Sequence, residues 1–195
     1  MHKNAFGLLL SLFICPGWQT LSAQPLAGAA NNTHPSPSAL DQVLSLTSED
    51  FDLSRVVLEL SREASQDILG SSFSVDAYVK SLDRMAAHIA DDLSGSDSAE
   101  EIVATLNDAY FSKWGFTVDA EDTSGQNPEN LFLHTVLDRK TGYCLSLSIP
   151  YLCLSERLNV PFYGVPAPGH FFVRCDDGHT TIDIETTSKG AVVED

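Results

Sequence analysis

Between residues 47 and 140 apolar side chains recur at three- and four-residue spacing, whereas from 161 to 185 they alternate with polar ones. The first period belongs to amphipathic helices and the second to half-buried strands. Thr47 and Ser48 are placed to cap a helix carrying Phe51, Val56, Val57 and Leu60. A second helix is predicted from Ser74 to Leu93, with Tyr78, Val79, Leu82, Met85, Ala86, Ile89 and Leu93 on one stripe. Ser98-Ala99-Glu100-Glu101 reads as a capping box that opens a third, whose Ile102, Val103, Leu106, Tyr110 and Phe111 lead to Trp114-Gly115 and belong to the core. A polar loop over 117–129 contains Asp119, Glu121, Asp122 and Gly125. A short helix over 130–139 stops at Gly142, and a fifth runs from Tyr143 to Leu158 with Pro150 inside it, where proline removes a backbone bond and bends the helix. Residues 161–165 read as a strand and 166–169 as a turn.

The strands that follow predict a hairpin. Asp177-Gly178 is the dipeptide that a two-residue type I′ turn prefers, because both central residues need positive φ. A turn centred there pairs 174 with 181, 172 with 183 and His170 with Glu185. Directly opposed side chains have Cβ atoms ~5 Å apart, within hydrogen-bonding reach. Alternation puts His170, Phe172, Arg174, Thr181, Asp183 and Glu185 on one face and Phe171, Val173, Cys175, Ile182 and Ile184 on an apolar, core-facing one. The expected architecture is α+β, a helical region packed on a small antiparallel sheet together with the helix that carries Cys144.

A cysteine at a helix start, followed by a histidine and an acid on adjacent strands, is an order that can make a thiol nucleophilic. The histidine takes the thiol proton, and the acid holds the imidazole's tautomer and stabilises its charged form. A helix start and a neighbouring imidazolium both favour a thiolate. Cys144, His170 and Glu185 are the candidate catalytic residues. Asp183 is the second candidate acid, with Arg174 as its expected partner. The Cys144 N–H and the Asn130 side chain are candidate oxyanion donors, and Asn130 and Asp183 are the further candidates for substrate contact. His34 lies in a Pro-, Ala- and Ser-rich stretch, and His88 reads as a surface residue with no second ligand at matching spacing, so no metal or organic cofactor is called for.

Residues 1–23 read as a secretory signal peptide: Lys3, an apolar stretch from Ala5 to Cys15, a Pro16-Gly17 break, then Ser22 and Ala23. That apolar stretch is shorter than the ~20 residues a bilayer-spanning helix needs. The expected organisation is a leader over 1–23, a flexible linker over 24–44, and one domain over 45–195, helical over 45–116 and core-like over 127–188. The expected location is periplasmic or extracellular, with no stable membrane insertion after cleavage. Cleavage removes one lysine and no acid, taking the formal net charge from −16 to −17. Such a charge argues against nucleic acid and anionic membranes as partners and favours a neutral or basic peptide or protein substrate. Three cysteines remain, 144, 153 and 175. An odd number leaves one thiol free. Cys153 and Cys175, both on core faces, could form a disulfide or stay buried as thiols, and Cys144 is the natural free one.

Several blocks resemble the transglutaminase-like superfamily in its bacterial SirB-type branch: Asn127-Pro128-Glu129-Asn130-Leu131-Phe132-Leu133, Val136-Leu137-Asp138-Arg139-Lys140-Thr141-Gly142, Val160-Pro161, Tyr163-Gly164-Val165, and Pro168-Gly169-His170-Phe171-Phe172-Val173-Arg174. The resemblance covers roughly residues 47 to 188. It implies a papain-like α+β fold with Cys144 at the nucleophile position, His170 at the histidine and Glu185 at the acid. The activity it implies is thiol-dependent acyl transfer or amide hydrolysis. Many members of that branch lack the cysteine, so an inactive module binding peptides or proteins is the alternative. Relatives usually have an aliphatic residue at Pro150. They also continue beyond the position of Asp195, ten residues after Glu185, so the expectation is either an incomplete sheet or a C-terminally truncated sequence.

Overall fold

The computed structural model describes residues 38–47, 51–93, 98–122 and 124–193. The predicted leader and His34 lie outside them. Within the predicted linker, Ala39–Leu44 forms a short helix, α1, capped by Ser38, with the Ala39 N–H donated to Glu63 (2.5 Å). Helix α2 (Leu53–Leu69) starts later than the Thr47-Ser48 expectation, because Asp52 caps it and accepts from the Arg55 N–H. Helix α3 (Val75–Asp92) is capped by Ser74, and α4 (Ala99–Asn107) by Ser98. The third predicted helix does not continue as α-helix: Asp108–Lys113 is a π-helical turn. At that junction the Asn107 amide donates to the Gly190 carbonyl (2.9 Å) while its oxygen accepts from the Tyr151 hydroxyl (3.0 Å).

Helix α5 (Leu133–Arg139) follows a 3₁₀ turn at Pro128–Asn130, and Lys140, at φ +61°, ends it. Two-residue strands β1 (Thr117–Val118) and β2 (Thr141–Gly142) pair in parallel, a pairing too short to leave a period in the sequence. Helix α6 (Cys144–Leu158) is central, with α2, α3, α5 and strands of the main sheet packed on it. Its buried residues, including Ser146, Leu147, Ser148, Tyr151 and Leu154, run all round the helix, as a helix covered on several sides requires.

The main sheet has the order β3 (Phe162–Ala167), β4 (His170–Asp176), β5 (Thr181–Glu185) and β6 (Ala191–Val193), every pair antiparallel. The α+β expectation holds. The expected hairpin register does not: Asp176 faces Thr181, Arg174 faces Asp183 and Val173 faces Ile184, two residues away from the predicted pairing. The Asp177 side chain accepts from the N–H groups of His179 (2.8 Å) and Thr180 (2.7 Å), which moves the turn to residues 177–180, with Gly178 at φ +86°. A shift of two preserves which side chains share a face. Val173, Cys175 and Ile184 are fully buried and Ile182 nearly so, as the core assignment required, whereas Phe171, assigned to the same face, is only partly buried.

Cys153 and Cys175 are both fully buried free thiols. Burial pushes the Cys175 thiol up to about 11, with Asp177 and Asp176 adding to the shift.

His134, on α5, is buried against a stacked Phe73 ring (centroids 3.9 Å apart). Ser71 Oγ lies 3.5 Å from its Nε2, and its Nδ1 has no hydrogen-bond partner. Burial lowers its pKa, with the nearby Asp138 opposing. A depressed imidazole leaves the unfolded chain binding more protons, so stability falls as pH drops below 6.5, the ordinary value, toward the folded one. His134→Phe keeps a ring against Phe73 and removes that titration. Between pH 7 and pH 5 the urea midpoint of the wild type should fall further than that of the variant; equal falls would show that His134 contributes nothing to acid sensitivity.

Candidate active site

Cys144 is the first residue of α6 and is partly exposed. Polar residues tie its turn down. The Tyr143 N–H donates to Ser146 Oγ (2.8 Å), and the Ser146 hydroxyl donates to the Asn130 carbonyl (2.5 Å). Gly142 makes room for this: a Cβ there would lie 2.7 Å from Ser146 Oγ. The Cys144 carbonyl accepts from the hydroxyls of Ser148 (2.7 Å) and Thr186 (3.3 Å), which are themselves 3.0 Å apart. Thr186 is fully buried and follows Glu185, so the end of β5 is bonded to the first turn of the cysteine helix.

At the same end of the hairpin, His170 Nε2 is hydrogen-bonded to Glu185 Oε2. The register shift makes the two residues diagonal rather than directly opposed, and long side chains on one face still meet at that offset. The other carboxylate oxygen, Oε1, accepts from the Thr187 N–H (2.9 Å) and hydroxyl (2.6 Å). Burial raises the Glu185 pKa, but Thr187 and the His170 ring together outweigh it and hold the carboxyl below its ordinary range. With Nε2 committed to the carboxylate, Nδ1 is the ring nitrogen left to exchange a proton. Among the described residues no hydrogen bond joins Cys144 Sγ to His170.

Asp183 is held by Arg174 in a bidentate pair, Nε to Oδ1 at 2.5 Å and Nη2 to Oδ2 at 2.6 Å. The expected partner is right, although the two are opposed rather than diagonal. Asn130 is fully buried. Its amide nitrogen donates to Asp119 (2.7 Å) and Asp122 (3.4 Å), and its oxygen accepts from Arg139 (2.9 Å). Both amide protons are therefore committed to carboxylates, which leaves the backbone N–H of Cys144 as the remaining candidate donor. His88 is exposed and borders a shallow depression of about 530 Å³ that includes Arg84, Met85 and Trp114 and none of the candidate site residues. Among the described residues no cluster of three His, Cys, Asp or Glu side chains could hold a metal ion. None of the described helices is long and apolar enough to cross a membrane.

Sequence pattern assigned no role to Thr186, Ser146 or Ser148. Their signal was two serines early in an otherwise apolar helix, a place where hydroxyls need nearby partners.

The model of the transglutaminase-like superfamily matches residues 76–195, more than half of the chain. The chain belongs to that superfamily. A UPF0162 protein of Xylella fastidiosa is 34% identical over 83 residues, covering 42% of this chain and 29% of that protein. The UPF0162 protein PA3419 of Pseudomonas aeruginosa is 32% identical over 115 residues, 59% of this chain and 42% of the relative. F-box only protein 21 of Homo sapiens is 42% identical over 60 residues, 30% of this chain and 10% of its own length. This superfamily member thus spans less than half the length of these curated relatives. No solved structure matches it.

Proposed function

We propose that this transglutaminase-like protein, of the SirB-type branch, is an exported thiol acyltransferase or amide hydrolase acting on peptides or proteins through Cys144, His170 and Glu185. The observation that carries this reading is the His170–Glu185 hydrogen bond at the hairpin end that Thr186 joins to the Cys144 turn. The thiol gives its proton to His170 Nδ1, and sulfur forms a bond to the substrate carbonyl carbon while the π pair moves onto oxygen. The Cys144 N–H, one of the helix-start amides without an intrahelical acceptor, donates to that oxyanion. Collapse breaks the carbon–nitrogen or carbon–oxygen bond, His170 returns the proton to the leaving group, and a thioester remains. Water then gives hydrolysis, and an amine gives transfer.

Iodoacetamide should label Cys144 rapidly near pH 6, and His170→Ala should slow labelling by about tenfold or more. A slow rate typical of an ordinary thiol, unchanged by the substitution, would overturn the catalytic reading. It would favour a module that binds peptides or proteins without chemistry, a reading supported by the missing Cys144–His170 hydrogen bond. Export is checked separately: protein recovered outside the cytoplasm should lack the mass of residues 1–23.

A further inference from the structure

We infer that Tyr143 and Asp122 are positioning residues that fix the oxyanion-binding N–H of Cys144, an assignment that rests on the acyl-transfer reading above. The peptide plane carrying that N–H lies between residues 143 and 144, so its direction follows the ψ angle of Tyr143, which is −178°. Tyr143 is fixed at both ends. On the backbone its N–H donates to Ser146 Oγ, and its carbonyl accepts the Leu147 N–H (2.8 Å). At the ring its hydroxyl donates to Asp122 Oδ2 and accepts from the Asn127 N–H (3.1 Å).

Asp122 is the hub of the opposing loop. Its Oδ2 also accepts from the Asn127 N–H (2.7 Å), and its Oδ1 accepts from the Gln126 N–H (3.1 Å) and the Ser124 hydroxyl (3.1 Å). The Tyr143 hydroxyl is the first of the contacts that hold this carboxyl below its ordinary range. The loop contributes a second anchor, since the Asn130 carbonyl accepts the Ser146 hydroxyl that caps Tyr143. This polar loop therefore grips the residue before the nucleophile at its ring and, through Ser146, at its backbone. A structural tether alone would not require both attachments to converge on one residue beside the reactive cysteine. Neither side chain touches the reacting atoms. Their effect is on the direction of one donor, which matters only once negative charge develops on the carbonyl oxygen.

Two reactions of the full chain separate this role from a structural one. Alkylation of Cys144 by iodoacetamide needs a thiolate and no oxyanion donor, whereas acylation by p-nitrophenyl acetate passes through a tetrahedral oxyanion. Tyr143→Phe keeps the ring, and we expect it to slow acylation about ten- to hundredfold while alkylation and its pH profile stay within about twofold of the wild type. Asp122→Ala should match it and the double variant should be no worse, as expected of two members of one contact. Asp122→Asn, which keeps an acceptor for the hydroxyl, should restore most of the rate. Equal slowing of both reactions, or acylation unaffected by Tyr143→Phe and Asp122→Ala, overturns the assignment. If the wild type is alkylated fast but never acylated, the acyl-transfer reading fails and this inference with it. Should Tyr143→Phe prove unstable, the contrast between Asp122→Ala and Asp122→Asn carries the same test.

Discussion

Glu185→Gln should slow acylation of Cys144 by about a thousandfold and leave the fold intact. The carboxamide is nearly isosteric, and its oxygen can still accept from the Thr187 N–H and hydroxyl, so the turn at Thr186–Ser188 should persist. What disappears is the negative charge beside His170 Nε2. A carboxamide NH₂ turned toward the ring would need an acceptor nitrogen there, which puts the proton on Nδ1, where it cannot take one from the thiol. The same variant has a stability signature. The Glu185 carboxyl is held below 4.5, its ordinary value, so its stabilising contribution is present above pH 4.5 and is lost as pH falls through the folded value. Glutamine does not titrate. The acid limb of a urea-midpoint profile should therefore be shallower for the variant, while the wild type is more stable at pH 7. Acylation within about threefold of the wild type would remove Glu185 from the mechanism. An unchanged acid limb would mean that its bonds persist in the unfolded chain.

What the sequence disclosed follows from which signals are periodic. The inward face of the hairpin was legible because alternation survives any even register shift, and Val173, Cys175 and Ile184 are fully buried as that alternation required. The register was not legible. Asp177-Gly178 marks a turn, but the bonds from His179 and Thr180 to the Asp177 carboxylate decide where it closes, and these depend on side-chain placement. The His170–Glu185 contact survived because the error was two residues, and a slip of one would have put the pair on opposite faces. Helix α3 was legible from its apolar stripe and α4 from the capping box at Ser98 and its apolar stripe. The π turn after Asn107 was not, since its partners, Gly190 and Tyr151, are distant in the chain. Asn130 shows the same limit at the site: its residue type suited an oxyanion donor, but three partners outside its own turn commit its side chain elsewhere.

Tyr110→Ala is expected to remove about 3–5 kcal/mol of stability, measured by urea unfolding at pH 7. Tyr110 is fully buried in the π turn, stacked on Phe116 (centroids 4.0 Å apart, planes within 8°) and edge-on to Phe111 and Tyr151. Its hydroxyl donates to the Leu147 carbonyl (2.8 Å) inside α6. That carbonyl lies beside the Ser146 carbonyl, which loses its helical hydrogen bond because Pro150, four residues on, has no N–H to offer. Truncation would therefore leave an aromatic-sized void in the core and take one donor from a buried carbonyl, two penalties of the same sign. Tyr110→Phe isolates the second and should cost about 1 kcal/mol. Since small domains hold only about 5–15 kcal/mol in total, the alanine variant should be marginal at 37 °C. A loss below about 1 kcal/mol for Tyr110→Ala would show that the π turn does not hold α6 in place. Direct contact of the Tyr110 ring and hydroxyl with Tyr151 and Leu147 argues against that outcome, because both residues belong to the helix that presents Cys144.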